Sequence, residues 1–190
     1  MHRSKAVMLG LMVLSGATMA QAQETPVESV VSLGISSYAT TLAVTNSRYG
    51  NYDWSFSGAA LNATLAVDNN LAVRGNIYSQ TWDDDTNVEL AGFDIQFLLG
   101  ENLIREGFKY YLAVGFFSEE LSAYQSTNAY SLSGAMVGFG LGYNWERAAV
   151  DFTLNIRNAQ PYVDMFEEMN MPGGGTVSAS SMALSLAYRL

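Results

Sequence analysis

Six charged residues stand at alternate positions of segments that are otherwise rich in apolar and small residues. Side chains at alternate positions of a β-strand point to the same face, so each of these charges shares its face with small or polar neighbours. Such charges either form a buried network of ion pairs or line a narrow path for ions. We expect the first, a charge network inside the fold. The six residues are Arg74, Asp94, Lys109, Asp151, Arg157 and Arg189.

The residue types of common active sites are missing. The only histidine is His2, inside the amino-terminal segment that we assign below to a signal peptide, and the chain has no cysteine. Histidine is the usual general base and the commonest metal ligand, and nucleophilic serine or cysteine residues commonly depend on one. We therefore expect no enzyme, no catalytic residue, no metal ion and no cofactor.

Three consecutive aspartates, Asp83, Asp84 and Asp85, are the one acidic cluster that could hold a divalent cation. Carboxylate oxygens suit Ca²⁺, but a calcium-binding loop needs further ligands at defined spacing, and none follow. A solvated loop tip is the better interpretation.

The amino terminus has the features of a signal peptide. Arg3 and Lys5 precede the apolar run "AVMLGLMVLSGATMA", and the triplet "AQA" at 20–22 has the small residues that signal peptidase reads. The run is too short and too interrupted to favour a membrane-spanning helix. We assign 1–22 to a cleaved signal and 23–190 to one domain.

The charge of the remaining chain is strongly negative. Removing the two basic residues of the signal leaves seven Lys and Arg against 18 Asp and Glu. A chain of this charge is repelled by nucleic acid, so we expect no nucleic-acid partner.

Alternation of apolar with small or polar residues dominates the rest of the sequence and predicts strands. The connections alternate between mostly short and mostly long, which is the plan of an up-and-down meander. The eight predicted strands are 30–44, 54–67, 71–82, 88–99, 108–118, 129–145, 148–158 and 177–190.

The sizes of the side chains predict which face points inward. The sixth predicted strand carries Val137, Phe139 and Leu141 on one face and glycines on the other. The interior of an eight-stranded barrel is only just wide enough for side chains, so the bulky apolar face must point outward, and an outward apolar face needs lipid. A water-soluble barrel or sandwich with the apolar face inside is the less favoured alternative.

The predicted fold is thus all-β, an eight-stranded antiparallel up-and-down transmembrane β-barrel. Tyrosine and tryptophan residues near the strand ends are expected to form the aromatic girdles at the two membrane surfaces. These residues are Trp54, Trp82, Tyr110, Tyr143, Trp145 and Tyr188.

Glycine at positions 138, 140 and 142 in "VGFGLGYNW" does not form a phosphate-binding loop, because no turn into a helix follows. Glycine at every second position of a strand predicts close packing against a neighbouring interior side chain.

The connection 159–176 is the longest after the signal. Within it "VDMFEEMNM" has Met165, Phe166 and Met169 at helical spacing, which predicts a short amphipathic helix. Two interpretations stay open: a surface that contacts a partner or lipid through flexible methionines, or a segment that folds over the rim of the barrel and covers it.

These features together resemble the small outer-membrane β-barrels of Gram-negative bacteria, the class that includes the transmembrane domain of OmpA and the OmpX-type proteins. The resemblance covers the whole chain after the signal. In that class the terminal strand usually ends on an aromatic residue; here Tyr188 occupies the preceding aromatic position and Leu190 ends the chain. The resemblance implies a location in the outer membrane, contact with its lipids, and insertion by the barrel-assembly machinery.

Two functions are consistent with this fold. The first is a structural or surface-interaction role, with a lumen filled by side chains and an extracellular partner for 159–176; we expect a monomer. The alternative is a small porin-like channel for ions or small solutes, in which four interior positive charges against two negative ones would favour anions. A fold alone does not decide between them.

Overall fold

The computed structural model describes residues 29–46, 50–123, 129–169 and 175–190. The segment 1–28, which contains the predicted signal peptide, lies outside the described residues. Eight strands and one short helix follow in chain order. They are β1 (Val30–Asn46), β2 (Gly50–Ala66), β3 (Leu71–Trp82), β4 (Val88–Glu101), β5 (Gly107–Ala123), β6 (Ala129–Asn144), β7 (Ala148–Arg157), α1 (Gln160–Glu168) and β8 (Thr176–Arg189). Within the described residues no helix is long and apolar enough to cross a membrane.

The strands form one closed antiparallel barrel in which each strand pairs with its neighbours in sequence. β8 closes the barrel against β1, from Ser32 opposite Arg189 to Thr45 opposite Thr176. The predicted eight-stranded up-and-down barrel is confirmed.

The register fixes the tilt of the strands. A row of paired residues that starts at Val31 passes through every strand and returns to β1 at Thr41, ten residues further on. A shift of this size in eight strands corresponds to a tilt of about 40° from the barrel axis. The row therefore climbs along the axis as it passes around the barrel.

The two ends of the barrel differ. We call the end with the connections 67–70, 102–106 and 145–147 the turn end, and the other the loop end. In the loop-end hairpins the strands are longer, and the loops that join them are shorter, than the sequence predicts. β1 and β2 continue to Asn46 and Gly50, and β5 continues to Ala123, where the sequence analysis placed loops.

The outward face carries an apolar belt, as the side-chain sizes predict. Ile35, Leu61 and Ile77 expose 63%, 66% and 70% of their surfaces. Along β6 and the first residue of the connection after it, the belt runs from Val137 to Trp145, about 20 Å along the barrel axis at this strand tilt. Such a surface is stable only in an apolar surrounding, because water contact with it is unfavourable.

The upper edge of the belt is not at the same height all around the barrel. Its upper edge follows the row of paired residues from Ile35 through Leu61 and Ile77 to Phe93. That row climbs by about 9 Å from β1 to β4. Above Ile35 the next outward residue of β1 is Ser37, so the belt is lowest on β1.

The barrel interior contains larger side chains than the sequence predicts. Small residues and charges do face inward, but so do Tyr38, Tyr78 and Tyr111, all nearly inaccessible. Towards the loop end Phe56 and Phe117 belong to a buried apolar cluster.

Two of the residues expected in aromatic girdles face inward instead. Trp54 and Trp82 stack with ring centroids 5.0 Å apart, and Trp54 meets Phe166 edge-on at 5.2 Å. Both tryptophans pack against the interior apolar cluster, because they share strand parity with Phe56 and Gln80. The exposed aromatic residues Tyr143 and Trp145 contact each other on the outward face at the turn end.

The glycines of β6 pack as their spacing predicts. A Cβ atom on Gly140 would lie 2.1 Å from the ring of Tyr111, and one on Gly138 would lie 2.2 Å from the Asn155 amide oxygen. Large interior side chains of the neighbouring strands therefore fit only because β6 has no side chain at these positions.

We predict that Gly140→Ala destabilises the folded barrel by about 1–3 kcal/mol, because the added methyl group overpacks the interior. Tyr111 cannot move aside freely, since its hydroxyl is hydrogen-bonded to Arg74 and Asp151. Urea unfolding in detergent micelles measures the change. Gly75→Ala is the matched control, because the nearest atom to its added Cβ is 3.9 Å away; equal effects of the two variants would contradict the packing argument.

Candidate functional site

The barrel interior is the site that the sequence analysis singles out, and all six predicted charges lie in it. Each is at least 93% inaccessible as a residue, and Asp94 is fully so. The structure adds a seventh charge, Glu119, which is 4% exposed. The seven residues do not form one network of ion pairs. Five of them form two clusters, one near the loop end and one nearer the turn end. The other two, Asp94 and Arg189, are bonded to uncharged polar groups.

The loop-end cluster consists of Glu119, Arg157, Tyr78 and Tyr162. Arg157 forms an ion pair with Glu119 at 2.7 Å, and both side chains are completely buried. The hydroxyls of Tyr78 and Tyr162 donate to the same carboxylate, at 2.7 and 2.5 Å. Three donors on one carboxylate provide the compensation that a buried ion pair needs.

Aromatic rings enclose the guanidinium of Arg157. Its Nη2 donates to the Tyr38 hydroxyl at 3.0 Å, and its Cζ lies 4.7 Å from the ring centroid of Phe117. Tyr38 and Tyr78 stack at 4.6 Å. Only Nε of Arg157 has no hydrogen-bond partner among the described residues. The charge is thus held in place by both hydrogen bonds and cation–π contacts.

The turn-end cluster consists of Asp151, Arg74, Lys109 and Tyr111. Asp151 accepts from Lys109 at 2.8 Å and lies 3.3 Å from Arg74. The Tyr111 hydroxyl donates to Asp151 at 3.1 Å and accepts from Arg74 at 2.8 Å. One carboxylate therefore serves two cations, and the cluster has a net positive charge.

Asp94 has no ion-pair partner within the described part of the chain. It accepts hydrogen bonds from Tyr38 at 2.7 Å, from Asn76 at 2.6 Å and from Gln96 at 3.0 Å. Through Tyr38 it is linked to Arg157. These three hydrogen bonds supply the polar partners that a buried carboxylate needs.

Arg189 closes the turn end, and it forms no ion pair with an acidic residue in the described part of the chain. Its guanidinium donates to the backbone carbonyls of Trp145 and Ile104. These two residues belong to different turns, so the last strand is bonded to both. The connection 102–106 folds into the barrel mouth, where Leu103 and Ile104 are buried. This explains why it is longer than the other turns.

Helix α1 covers the loop end. It begins with Pro161 in its first turn, where a missing N–H costs nothing, and buries Tyr162, Met165 and Phe166 against the interior apolar cluster. Burial raises the pKa of the Tyr162 hydroxyl, which therefore stays protonated and donates to Glu119. For residues 160–168 the second interpretation of the long connection, a segment that covers the rim, describes what the structure shows.

The aspartate triplet forms turn contacts. Asp83 accepts a hydrogen bond from Ser57. The backbone N–H and side-chain amide of Asn87 donate to Asp85 and hold the pKa of that carboxyl below its usual range. Among the residues that the structure describes, no group of three or more His, Cys, Asp or Glu could hold a metal ion.

Glu119 lies just outside the predicted interior residues, because the fifth predicted strand ends at 118. Strand parity would have found it: the inward positions Lys109, Tyr111, Ala113 and Phe117 lead directly to 119. With Glu119 included, the interior holds three acids for four bases, and the predicted excess of positive charge is halved.

The geometry defines a class of fold. A closed eight-stranded up-and-down barrel with a polar, side-chain-filled interior and an outward apolar belt is the fold of the small outer-membrane β-barrels.

Solved structures of that class match the whole barrel. The Ail attachment invasion locus protein of Yersinia pestis matches with a TM-score of 0.54 and 16% identity, over 86% of this chain and all of that chain. A second Ail structure, in complex with the heparin analogue sucrose octasulfate, matches with a TM-score of 0.50 and 19% identity, over 86% and 100%. Neisserial surface protein A matches with a TM-score of 0.52 and 14% identity, over 83% and 96%. These identities establish the fold alone.

No protein-family model matches the chain, and no curated protein matches its sequence.

We predict that Glu119→Gln destabilises the barrel by about 3–5 kcal/mol, because it leaves Arg157 as an uncompensated buried charge. Glu120→Gln is the matched control: it removes the same charge from the adjacent, outward-facing residue and should change the free energy of unfolding by less than about 0.5 kcal/mol. Urea unfolding in micelles compares the two. If Glu119→Gln proves as mild as its neighbour, the ion pair does not stabilise the interior.

Proposed function

We propose that this chain is an outer-membrane β-barrel protein with a structural or surface-interaction role and a sealed lumen. The observation that carries the proposal is the combination of a closed barrel with an apolar belt on its outward face. In hydrocarbon every backbone polar group must be paired within the protein, and closing β8 on β1 achieves this. The predicted signal peptide and the fold shared with Ail and Neisserial surface protein A support an outer-membrane location.

The filled interior supports a structural rather than a transport role. A path for ions would cross both charge clusters, and among the described residues each carboxylate, guanidinium and ammonium group in them has an ion-pair partner. The two ends are covered by α1 and by the connection 102–106. The lipids of the membrane are then the permanent partners of the belt, the barrel-assembly machinery inserts the chain, and the barrel functions as a monomer.

The interior also supports a role that is not enzymatic. The buried charges are bonded to one another or to neutral polar groups behind the two covers, so a substrate would not reach them without displacing α1 or the turn-end connection. Contacts with other molecules would then be made at the loop end, where the hairpins extend beyond the belt.

The charge of the loop-end surface limits the kinds of partner that could bind there. Ail has been solved with a sulfated heparin analogue, but a polyanion is a poor partner here. Nine carboxylates are exposed at this end, and no lysine or arginine among the described residues is exposed there. The nine are Asp53, Asp83, Asp84, Asp85, Glu89, Glu120, Asp164, Glu167 and Glu168. Neutral or cationic partners fit this field.

We predict that the protein fractionates with outer membranes and migrates differently on a gel with and without boiling, because a closed barrel resists detergent until it is heated. Membrane fractionation followed by paired gel lanes checks both points. A protein that is freely soluble without detergent would contradict the outward orientation of the belt.

We predict no steady unitary currents in planar lipid bilayers, because the lumen is filled by paired charges. The control is Lys109→Glu, which reverses one interior charge of the turn-end cluster. Steady current steps in the wild-type protein, with ion selectivity changed by Lys109→Glu, would contradict the sealed lumen and favour the porin-like alternative.

A further inference from the structure

Strand β6 has an edge segment that its neighbour β7 does not cover. β6 is paired with β5 along its whole length, to Ala129 opposite Ser122. Its pairing with β7 ends at Met136 opposite Arg157, where the chain leaves the sheet to form α1. Among the residues that the structure describes, the segment 129–135 of β6 therefore has a partner strand on one side only.

The direction of the backbone groups along this edge follows from one hydrogen bond. The N–H of Asn158 donates to the carbonyl of Ala135 at 2.8 Å, so residue 135 directs its backbone groups away from β5. In an antiparallel strand alternate residues direct both groups to the same side. Ser133, Ser131 and Ala129 therefore present N–H and C=O groups to the open side, and no backbone partner for them is found among the described residues.

A groove lies between this edge and α1. It has a volume of about 470 Å³. Ser131 and Ser133 line one wall, while Pro161, Asp164 and Glu168 line the α1 wall. The outward residues of β6 here are serines, whereas the belt on the same strand begins at Val137. The groove thus lies above the belt, in the part of the barrel that faces water.

The charge of the groove is negative. Asp164 and Glu168 are exposed on the α1 wall, and the seven other exposed carboxylates lie at the same end of the barrel. The side-chain amide of Gln160 donates to Asp164 at 2.7 Å, which leaves Glu168 without a described partner for its charge.

We infer that this groove binds an extended, basic segment of a partner polypeptide, which adds a strand to the open edge of β6. Backbone hydrogen bonds to Ser131 and Ser133 provide the pairing, as in other complexes formed by strand addition. Lysine or arginine side chains of the incoming strand reach Glu168 and Asp164. The inference deepens the proposed surface-interaction role and depends on it for the exposure of the loop end.

Charge complementarity favours this occupant over the others. A second copy of the chain would bring a second acidic loop end to the first, at a cost in like-charge repulsion. An anionic headgroup is excluded from the groove by the same field. A basic extended peptide is attracted by the charge and bound by the backbone edge.

The test uses the full-length protein folded in detergent micelles, with a heptapeptide of alternating lysine and valine as the probe. We expect the peptide to bind, and its analogue N-methylated on the residues that face β6 to bind at least about fivefold more weakly, because each net hydrogen bond contributes about 1 kcal/mol. The same peptide with glutamate in place of lysine should not bind.

Paired variants locate the binding. Ser133→Pro removes one N–H from the open edge, which proline tolerates at an edge strand, and should weaken binding at least about fivefold. Ser133→Ala keeps the N–H and should bind as the wild type does. Glu168→Gln should weaken binding by about twofold to fivefold, whereas Glu167→Gln, on the same helix but outside the groove lining, should not.

Amide hydrogen exchange in the protein without peptide tests whether the edge is open. We expect the N–H groups of Ser131 and Ser133 to exchange faster than those of Tyr130 and Leu132, which pair with β5, and to slow when the peptide binds. Slow exchange without peptide would show that the chain itself or a second copy occupies the edge, and would overturn the inference.

Equal binding by Ser133→Pro, or by the N-methylated peptide, would also overturn the inference. Boiled and unboiled gel lanes of each sample keep the two proposals separate. A sample without the gel shift counts against the proposed barrel protein. A shifted sample that binds no peptide refutes only the strand-addition site.

Discussion

The pairing of β8 with β1 is the interaction on which the rest of the structure depends. It joins 14 residues of each strand, from Ser32 opposite Arg189 to Thr45 opposite Thr176, and turns an open sheet into a barrel with an inside and an outside. Without closure, the two edge strands would expose a row of unpaired backbone groups, which an apolar surrounding does not tolerate. Closure also creates the enclosed space in which Arg157 and Glu119 can be paired without water. The ten-residue shift around the barrel fixes how wide that space is.

The limited width of the interior explains its composition. A ring as large as Tyr111 fits because Gly140 faces it, and a guanidinium fits because aromatic hydroxyls and one carboxylate surround it. Buried ion pairs contribute little net stability compared with apolar packing, but each partner becomes costly to remove once the other is in place. The interior charges therefore fix the arrangement of the strands more than they increase the free energy of unfolding.

The sequence predicts the architecture well because each strand records its two surroundings in alternate residues. The parity of β3 to β8 correctly places the belt outside and the six charges inside, and the glycines of β6 indicate their large neighbours. The features that the sequence does not reveal depend on contacts between residues of different strands across the barrel. Glu119 looked like a loop residue, Trp54 and Trp82 looked like girdle residues, and the separation of the charges into two clusters depends on register, which alternation alone does not fix. The cover formed by Tyr162 likewise requires knowing that α1 lies over Glu119.

At the proposed location in a membrane, the uneven upper edge of the belt has a consequence for the surrounding lipid. Hydrocarbon that reaches the height of Phe93 on β4 would also cover the polar side chain of Ser37 on β1, which lies lower. Hydrophobic mismatch of this kind is relieved when a protein leans or when the bilayer thins beside it. We expect both here: the axis inclines away from the membrane normal, and the leaflet is compressed where it borders β1 and β2. The barrel would then have one side, that of β1 and β2, beside which the bilayer is thinner, although its closed barrel shape does not suggest such an asymmetry.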